Sequence, residues 1–284
     1  MRSEKVMYQV ILKVARKLPQ VKAIALSGSR VNLNAPKDDF QDYDIVYIVE
    51  DKEELLKERG WLDEFGARRI MQTPEEMTLF PPELGERFTF LMLFEDGNRI
   101  DLTLCPVAAI DEWLANEPMV KILEDSNHLL EDKVMPIQPE TYQMSQASTA
   151  TFQDCCNEFW WVSTYVVKGL CRKELTYASD HLYNNCQQEL LRLLSWQIIF
   201  EKGPTDMGKN YKYLFSYNPQ LTDEFNQLRD FTSLDNCWRS LVATQYFFHQ
   251  QALNFSTKTG FYYDEKTAEK IMRYTKQYKE SINS

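Results

Sequence analysis

Gly28-Ser29 and, after a polar loop, Asp42-Tyr43-Asp44 are the stretches on which the reading of this chain turns. Val21-Lys22-Ala23-Ile24-Ala25-Leu26 reads as a strand that stops at Gly28, and Tyr43 to Val49, rich in β-branched and aromatic residues, reads as a second. Residues two apart on a strand project to the same face, so Asp42 and Asp44 present their oxygens together. Carboxylates this close repel unless a cation sits between them, and a hard divalent ion such as Mg²⁺ prefers oxygen ligands. The Gly-Ser turn offers backbone N–H groups and a hydroxyl to a phosphate. The combination predicts a metal-dependent phosphoryl or nucleotidyl transfer site.

A third carboxylate joins them. Phe88–Phe94 and 98–104 read as two strands joined by Glu95-Asp96-Gly97-Asn98, a hairpin signal. In the second of these, Ile100, Leu102 and Leu104 alternate with Asp101 and Thr103, so Asp101 faces away from the apolar layer. Asp42, Asp44 and Asp101 are therefore the candidate metal ligands and catalytic carboxylates. Gly28, Ser29 and Arg30 are the candidate phosphate contacts. No GxxxxGK[ST] loop occurs, which counts against a P-loop kinase, and no GxSxG elbow supports a Ser-His-Asp hydrolase.

Upstream, Val6, Met7, Val10, Ile11, Val14 and Leu18 predict an amphipathic helix over 4–18, and 53–65 predicts another that ends at Gly66. Residues 136–150 carry Pro136, Pro139 and a run of small polar residues, and mark a linker between a domain at 1–135 and one at 151–284. Beyond it helical periodicity dominates, over 152–168, 177–200, 221–229, 237–253 and 265–278. The predicted class is α+β, a mixed-sheet catalytic domain followed by a helical bundle.

The first helix of that bundle carries Asp154, Glu158, Trp161, Tyr165 and Lys168 at spacings of 4, 3, 4 and 3 residues. At the helical angle all five fall in a wedge of about 80°. Such a stripe suits a cationic acceptor at the carboxylate end, with Lys168 reaching a triphosphate. A solvated face with two core aromatics is the plainer account of the same residues. Asp180 heads the next helix as a candidate acceptor contact or general base. Lys209 and Tyr211, in Gly208-Lys209-Asn210-Tyr211-Lys212, suit a phosphate and a base; a solvated loop accounts for them equally well.

Composition bounds the rest. With 284 residues, 44% hydrophobic and 13% aromatic, the chain can bury sizeable cores. A net charge of −10 argues against a broad nucleic-acid surface and suits a cationic small-molecule partner. No apolar run is long enough for a membrane span, no secretory leader is evident, and six cysteines lack zinc-ligand spacing. The expectation is a cytoplasmic protein, monomeric or weakly dimeric, with reduced thiols.

Several stretches resemble a known family. Asp39-Phe40-Gln41-Asp42-Tyr43-Asp44-Ile45, Leu79-Phe80-Pro81-Pro82-Glu83-Leu84, Leu93-Phe94-Glu95-Asp96-Gly97-Asn98 and Ile100-Asp101-Leu102-Thr103-Leu104 are similar to aminoglycoside 6-adenylyltransferases. So are Asp154-Cys155-Cys156-Asn157-Glu158-Phe159-Trp160, Val166-Val167-Lys168-Gly169-Leu170 and Gly208-Lys209-Asn210-Tyr211-Lys212, and the likeness fades after about residue 215. The resemblance implies a polymerase-β-like nucleotidyltransferase domain and a helical substrate domain. It also implies ATP as co-substrate, Mg²⁺, and transfer of AMP to a hydroxyl of streptomycin with release of pyrophosphate. On it, Asp42 and Asp44 are metal ligands and Asp101 the third carboxylate, with Asp101 ahead of Asp180 as the base. Ser27 departs from the Glu that precedes the Gly-Ser pair in the family, which bears on substrate choice. Other acceptors, such as a lincosamide or a protein hydroxyl, and a weakly active nucleotide- or drug-binding relative are the alternatives.

Overall fold

Along residues 23–26 small and large side chains alternate, and Ala23 and Ala25 pack in a different core layer from Ile24 and Leu26. This alternation builds the first of two units, residues 1–141 and 142–284, in a computed structural model that describes residues 1–137 and 143–282. Six strands form one sheet: β1 (Val21–Ser27), β2 (Tyr43–Val49), β3 (Arg68–Gln72), β4 (Phe88–Phe94), β5 (Arg99–Pro106) and β6 (Lys121–Glu124), in the order β3-β4-β5-β2-β1-β6. β2 and β5 are parallel and the other neighbours antiparallel, so the sheet is mixed.

One face is covered by α1 (Glu4–Arg16), whose start is capped by the Ser3 side chain and whose Met7, Ile11 and Val14 are buried. They join Ile45, Tyr47, Leu102 and Leu104 in the larger layer, where the Tyr47 hydroxyl donates to the Ile11 carbonyl at 2.6 Å. The opposite layer holds Val46, Ile48 and Cys105 under Ile110 and Trp113 of α3 (Ile110–Asn116). Asp44 and Asp101 belong to the sequence parity of this second layer, as the first members of 44-46-48 and 101-103-105.

The helix expected over 53–65 is interrupted. α2 spans Lys52–Lys57, Glu58 leaves helical space at φ −116° and ψ 89°, and a 3₁₀ segment follows over Arg59–Phe65. Arg59 Nε and Trp61 Nε1 donate to the Leu56 and Leu55 carbonyls, acceptors that a continuing helix would have used. β3, β6 and α3 are additions to the sequence reading. β3 is mostly exposed and β6 never fully buried, so neither carries a clean alternation.

The second unit is helical: α4 (Thr149–Cys171), α5 (Leu175–His181), α6 (Gln187–Lys202), α7 (Leu214–Tyr217), α8 (Leu221–Gln227), α9 (Leu234–Thr259) and α10 (Glu265–Ile282), with a small pair of strands, β7 (Gln143–Met144) and β8 (Thr205–Asp206). Ser148 and Thr151 form a reciprocal cap that starts α4. Its Phe159 stacks on Phe248 of α9 at 3.6 Å in the core. The helix expected over 177–200 is realised as α5, a π-helical turn at Leu182–Cys186, and α6. Of the expected linker at 136–150, residues 138–142 lie outside the described residues. All six cysteines are free, five of them buried. No described helix is long and apolar enough to cross a membrane.

Candidate active site

The β-ladder brings the carboxylates together. In the parallel β2–β5 pair Asp44 stands opposite Asp101, and in the antiparallel β1–β2 pair it stands opposite Ser27. Asp42 immediately precedes β2 instead of lying within it. One carboxylate oxygen from each of Asp42, Asp44 and Asp101 lies within 4.8 Å of the others.

Gly28 is required by this arrangement. It has φ +70°, and a Cβ there would stand 2.0 Å from Asp44 Oδ2, so the carboxylate rests on the bare backbone. From Gly28 to Arg30 the chain makes a single 3₁₀ turn. The Ser29 carbonyl accepts from the Gln41 side chain at 3.2 Å, which ties the turn to the segment entering β2. A polar cavity of about 510 Å³ opens beside Ser29, with Arg2, Glu4, Asn32 and Lys37 among its walls.

Arg30 also lines this cavity, and its guanidinium is held by contacts within the protein. Its guanidinium lies over the Tyr43 ring at 3.7 Å, donates to the Asp42 and Gln41 carbonyls at 2.8 Å each, and approaches Glu4 at 3.6 Å. It is a clamp on residues 41–43 and so fixes where Asp42 leaves the loop.

Electrostatically the cluster is strained. Burial, then the charges of Asp42, Asp101 and Glu117, push the Asp44 carboxyl from 3.8 up to about 7. Burial also raises Asp101, with Arg99 pulling the other way. Arg99 grips Asp101 through Nε–Oδ1 at 2.7 Å and Nη2–Oδ2 at 2.5 Å, and its Nε lies 3.9 Å from Asp42 Oδ2. Oxygen donors at this spacing, one of which resists ionising beside the others, fit a hard divalent cation. Arg99 is not among the residues expected at the site, although the alternation that sets Asp101 on this face sets residue 99 there too.

In the helical unit Asp154, Glu158, Trp161, Tyr165 and Lys168 all escape full burial along α4, and Asp154, Glu158 and Trp161 are exposed. Trp161 Nε1 donates to the Tyr165 hydroxyl at 2.8 Å. The Lys168 ammonium lies 4.8 Å from the Tyr165 ring and 5.3 Å from the Tyr177 ring. Asp180 is exposed and accepts from Asn184 Nδ2 at 2.7 Å. Lys209 is exposed, whereas Tyr211 packs against the helical core, and burial raises its hydroxyl pKa. That packing is at odds with the expectation of Tyr211 as an open platform for a base.

A family model described as streptomycin adenylyltransferase matches residues 1–278. An aminoglycoside 6-adenylyltransferase of Bacillus subtilis (strain 168) is 40% identical over 278 residues, 97% of each chain. One of Campylobacter jejuni is 38% identical over 283 residues, 98% of each. The crystal structure of an aminoglycoside 6-adenyltransferase from Bacillus subtilis, 36% identical, aligns over 98% of this chain and 99% of its own with a TM-score of 0.48. The likeness thus runs well past residue 215, where the sequence motifs alone had faded.

Proposed function

This chain belongs to the streptomycin adenylyltransferase family, and from that premise we propose that it transfers AMP from ATP to a hydroxyl of an aminoglycoside, streptomycin being the expected acceptor. The observation that carries the reading is the meeting of Asp42, Asp44 and Asp101 beside Gly28. Mg²⁺ held by these three carboxylates would neutralise triphosphate charge and lower the pKa of the attacking hydroxyl.

The acceptor oxygen attacks the α-phosphorus, the bond from that phosphorus to the β-bridging oxygen breaks, and pyrophosphate leaves. The hydroxyl proton passes to a carboxylate. Asp101 is the first candidate, because it shares the face of Asp44 on the adjacent strand, and Asp180 is the second. The Ser29 hydroxyl takes a phosphate oxygen, and Lys168, a cation close to the Tyr165 and Tyr177 rings, takes another. Asp154 and Glu158, exposed one turn apart with Trp161 and Tyr165 beyond them, suit the guanidinium groups of streptomycin. The reaction is placed in the cytoplasm, where ATP is available.

The test is pyrophosphate release with MgATP and streptomycin, kanamycin, lincomycin or no acceptor. Release with streptomycin alone is expected. Release with lincomycin alone would overturn the acceptor class while leaving the chemistry. Asp42→Asn is expected to abolish release with the circular dichroism spectrum unchanged, and retained turnover in that variant would remove Asp42 from the site.

A further inference from the structure

The one cationic side chain paired with the carboxylate cluster among the described residues is Arg99, and it comes from the strand that carries Asp101. Residues 99 and 101 share a face, so a single turn of side chain brings the guanidinium fork onto both Asp101 oxygens. The same group stands 3.9 Å from Asp42. Its side chain is 46% exposed, against 16% for Asp101, so the grip lies at the open edge of the cluster and has solvent to move into. The fork engages the oxygens that a cation between the three carboxylates would need.

We infer that Arg99 is a displaceable counter-ion. It holds Asp101 while no cation is bound, keeps three crowded carboxylates tolerable, and must release Asp101 as a cation enters. The inference rests on the cation-site reading given above and goes further, because it makes an arginine of this chain the competitor that sets cation affinity. A half-exposed ion pair is a weak competitor, worth a factor of about five in an equilibrium constant at its upper end. That is small enough for a divalent ion to overcome and large enough to measure.

The experiment is Mn²⁺ binding to the full chain without nucleotide, read from the free-ion electron paramagnetic resonance signal, for wild type, R99M and R99K. R99M is expected to bind Mn²⁺ about fivefold more tightly than wild type. R99K, which keeps the charge and loses the fork, is expected between them. The rise in melting temperature on adding Mn²⁺ should be larger for R99M, by linkage of binding to folding. Wild type binding Mn²⁺ with R99M equal or weaker would overturn the inference alone. That result would mean Arg99 organises Asp101 for the cation instead of competing with it. Failure of wild type and R99M alike to bind Mn²⁺ would overturn the cation-site reading as well. If R99M does not fold, R99K decides: tighter binding than wild type supports the competitor, and unchanged or weaker binding refutes it.

Discussion

Removing the Asp44 charge should make the first unit more stable while it stops the reaction. The carboxyl is pushed from 3.8 to about 7 by burial and by its acidic neighbours. The folded state therefore binds its proton more tightly than the unfolded chain does. Between pH 3.8 and about 7 the folded protein holds more protons, so stability falls as pH rises through that window and is lowest above it. The full rise corresponds to about 4 kcal/mol, a ceiling that structural relaxation and water reduce. Asp44→Asn keeps the shape of the neutral acid, and its gain at pH 8 in EDTA should be about 2 kcal/mol. The gain should shrink toward pH 5 and vanish below about pH 4, where both states are protonated. Hydrogen exchange on peptides from β2 and β5 is the suitable assay, because two compact units need not unfold as one. Saturating Mg²⁺ should stabilise wild type and leave the variant unmoved. A variant no better protected than wild type at pH 8, or a difference that does not depend on pH, would refute the account of Asp44 as a crowded, cation-requiring acid.

Gly28→Ala places a Cβ 2.0 Å from Asp44 Oδ2 at a φ of +70°, so Asp44 must move; pyrophosphate release should fall at least about a hundredfold, and wild-type turnover would contradict the packing. Arg30→Met keeps an apolar chain over Tyr43 but abandons two carbonyls. It should cost about 1–3 kcal/mol in β2 exchange protection and lower kcat more than it raises KM for ATP, whereas a pure KM effect would return Arg30 to a phosphate role. Lys168→Met should raise KM for ATP about tenfold, the worth of one charge-assisted contact, with the helical circular dichroism unchanged; an unaltered KM would leave Lys168 a packing residue.

How far the residues alone disclosed this site follows from which physical signal each one carries. Asp44 and Asp101 are legible because strand alternation is a local rule: Tyr43, Ile45, Ile100 and Leu102 are almost wholly buried, and the residues between them must face elsewhere. The contacts of Arg30 are not legible in the sequence, because they reach eleven and twelve residues away to the carbonyls of Gln41 and Asp42, which no periodicity encodes. β6 was missed for a related reason. It pairs on the sheet edge with β1, about a hundred residues earlier, and its half-buried side chains leave no pattern of their own. The break at Glu58 was equally hidden, since the side chains of Arg59 and Trp61 capture helix carbonyls that propensity assigns to the backbone.

These particulars share one logic. Each of Asp44, Asp101 and Gly28 runs against local stability: two acids whose burial resists ionisation and a glycine in left-handed space. The sheet can carry them because the apolar positions flanking them, Tyr43 and Ile45 on β2 and Ile100 and Leu102 on β5, are almost wholly buried and fix the register. A one-residue slip of β5 against β2 would move Asp101 out of register with Asp44 and drive Ile100 and Leu102 toward the other face. The core that fixes the fold therefore also fixes the spacing of the carboxylates, and a core substitution that loosens this register, such as Leu102→Ala, should weaken Mn²⁺ binding as well as cost about 2–5 kcal/mol of stability. Measured on the folded fraction, an Mn²⁺ affinity unchanged by that substitution would show that the cluster holds its geometry independently of the layer beneath it.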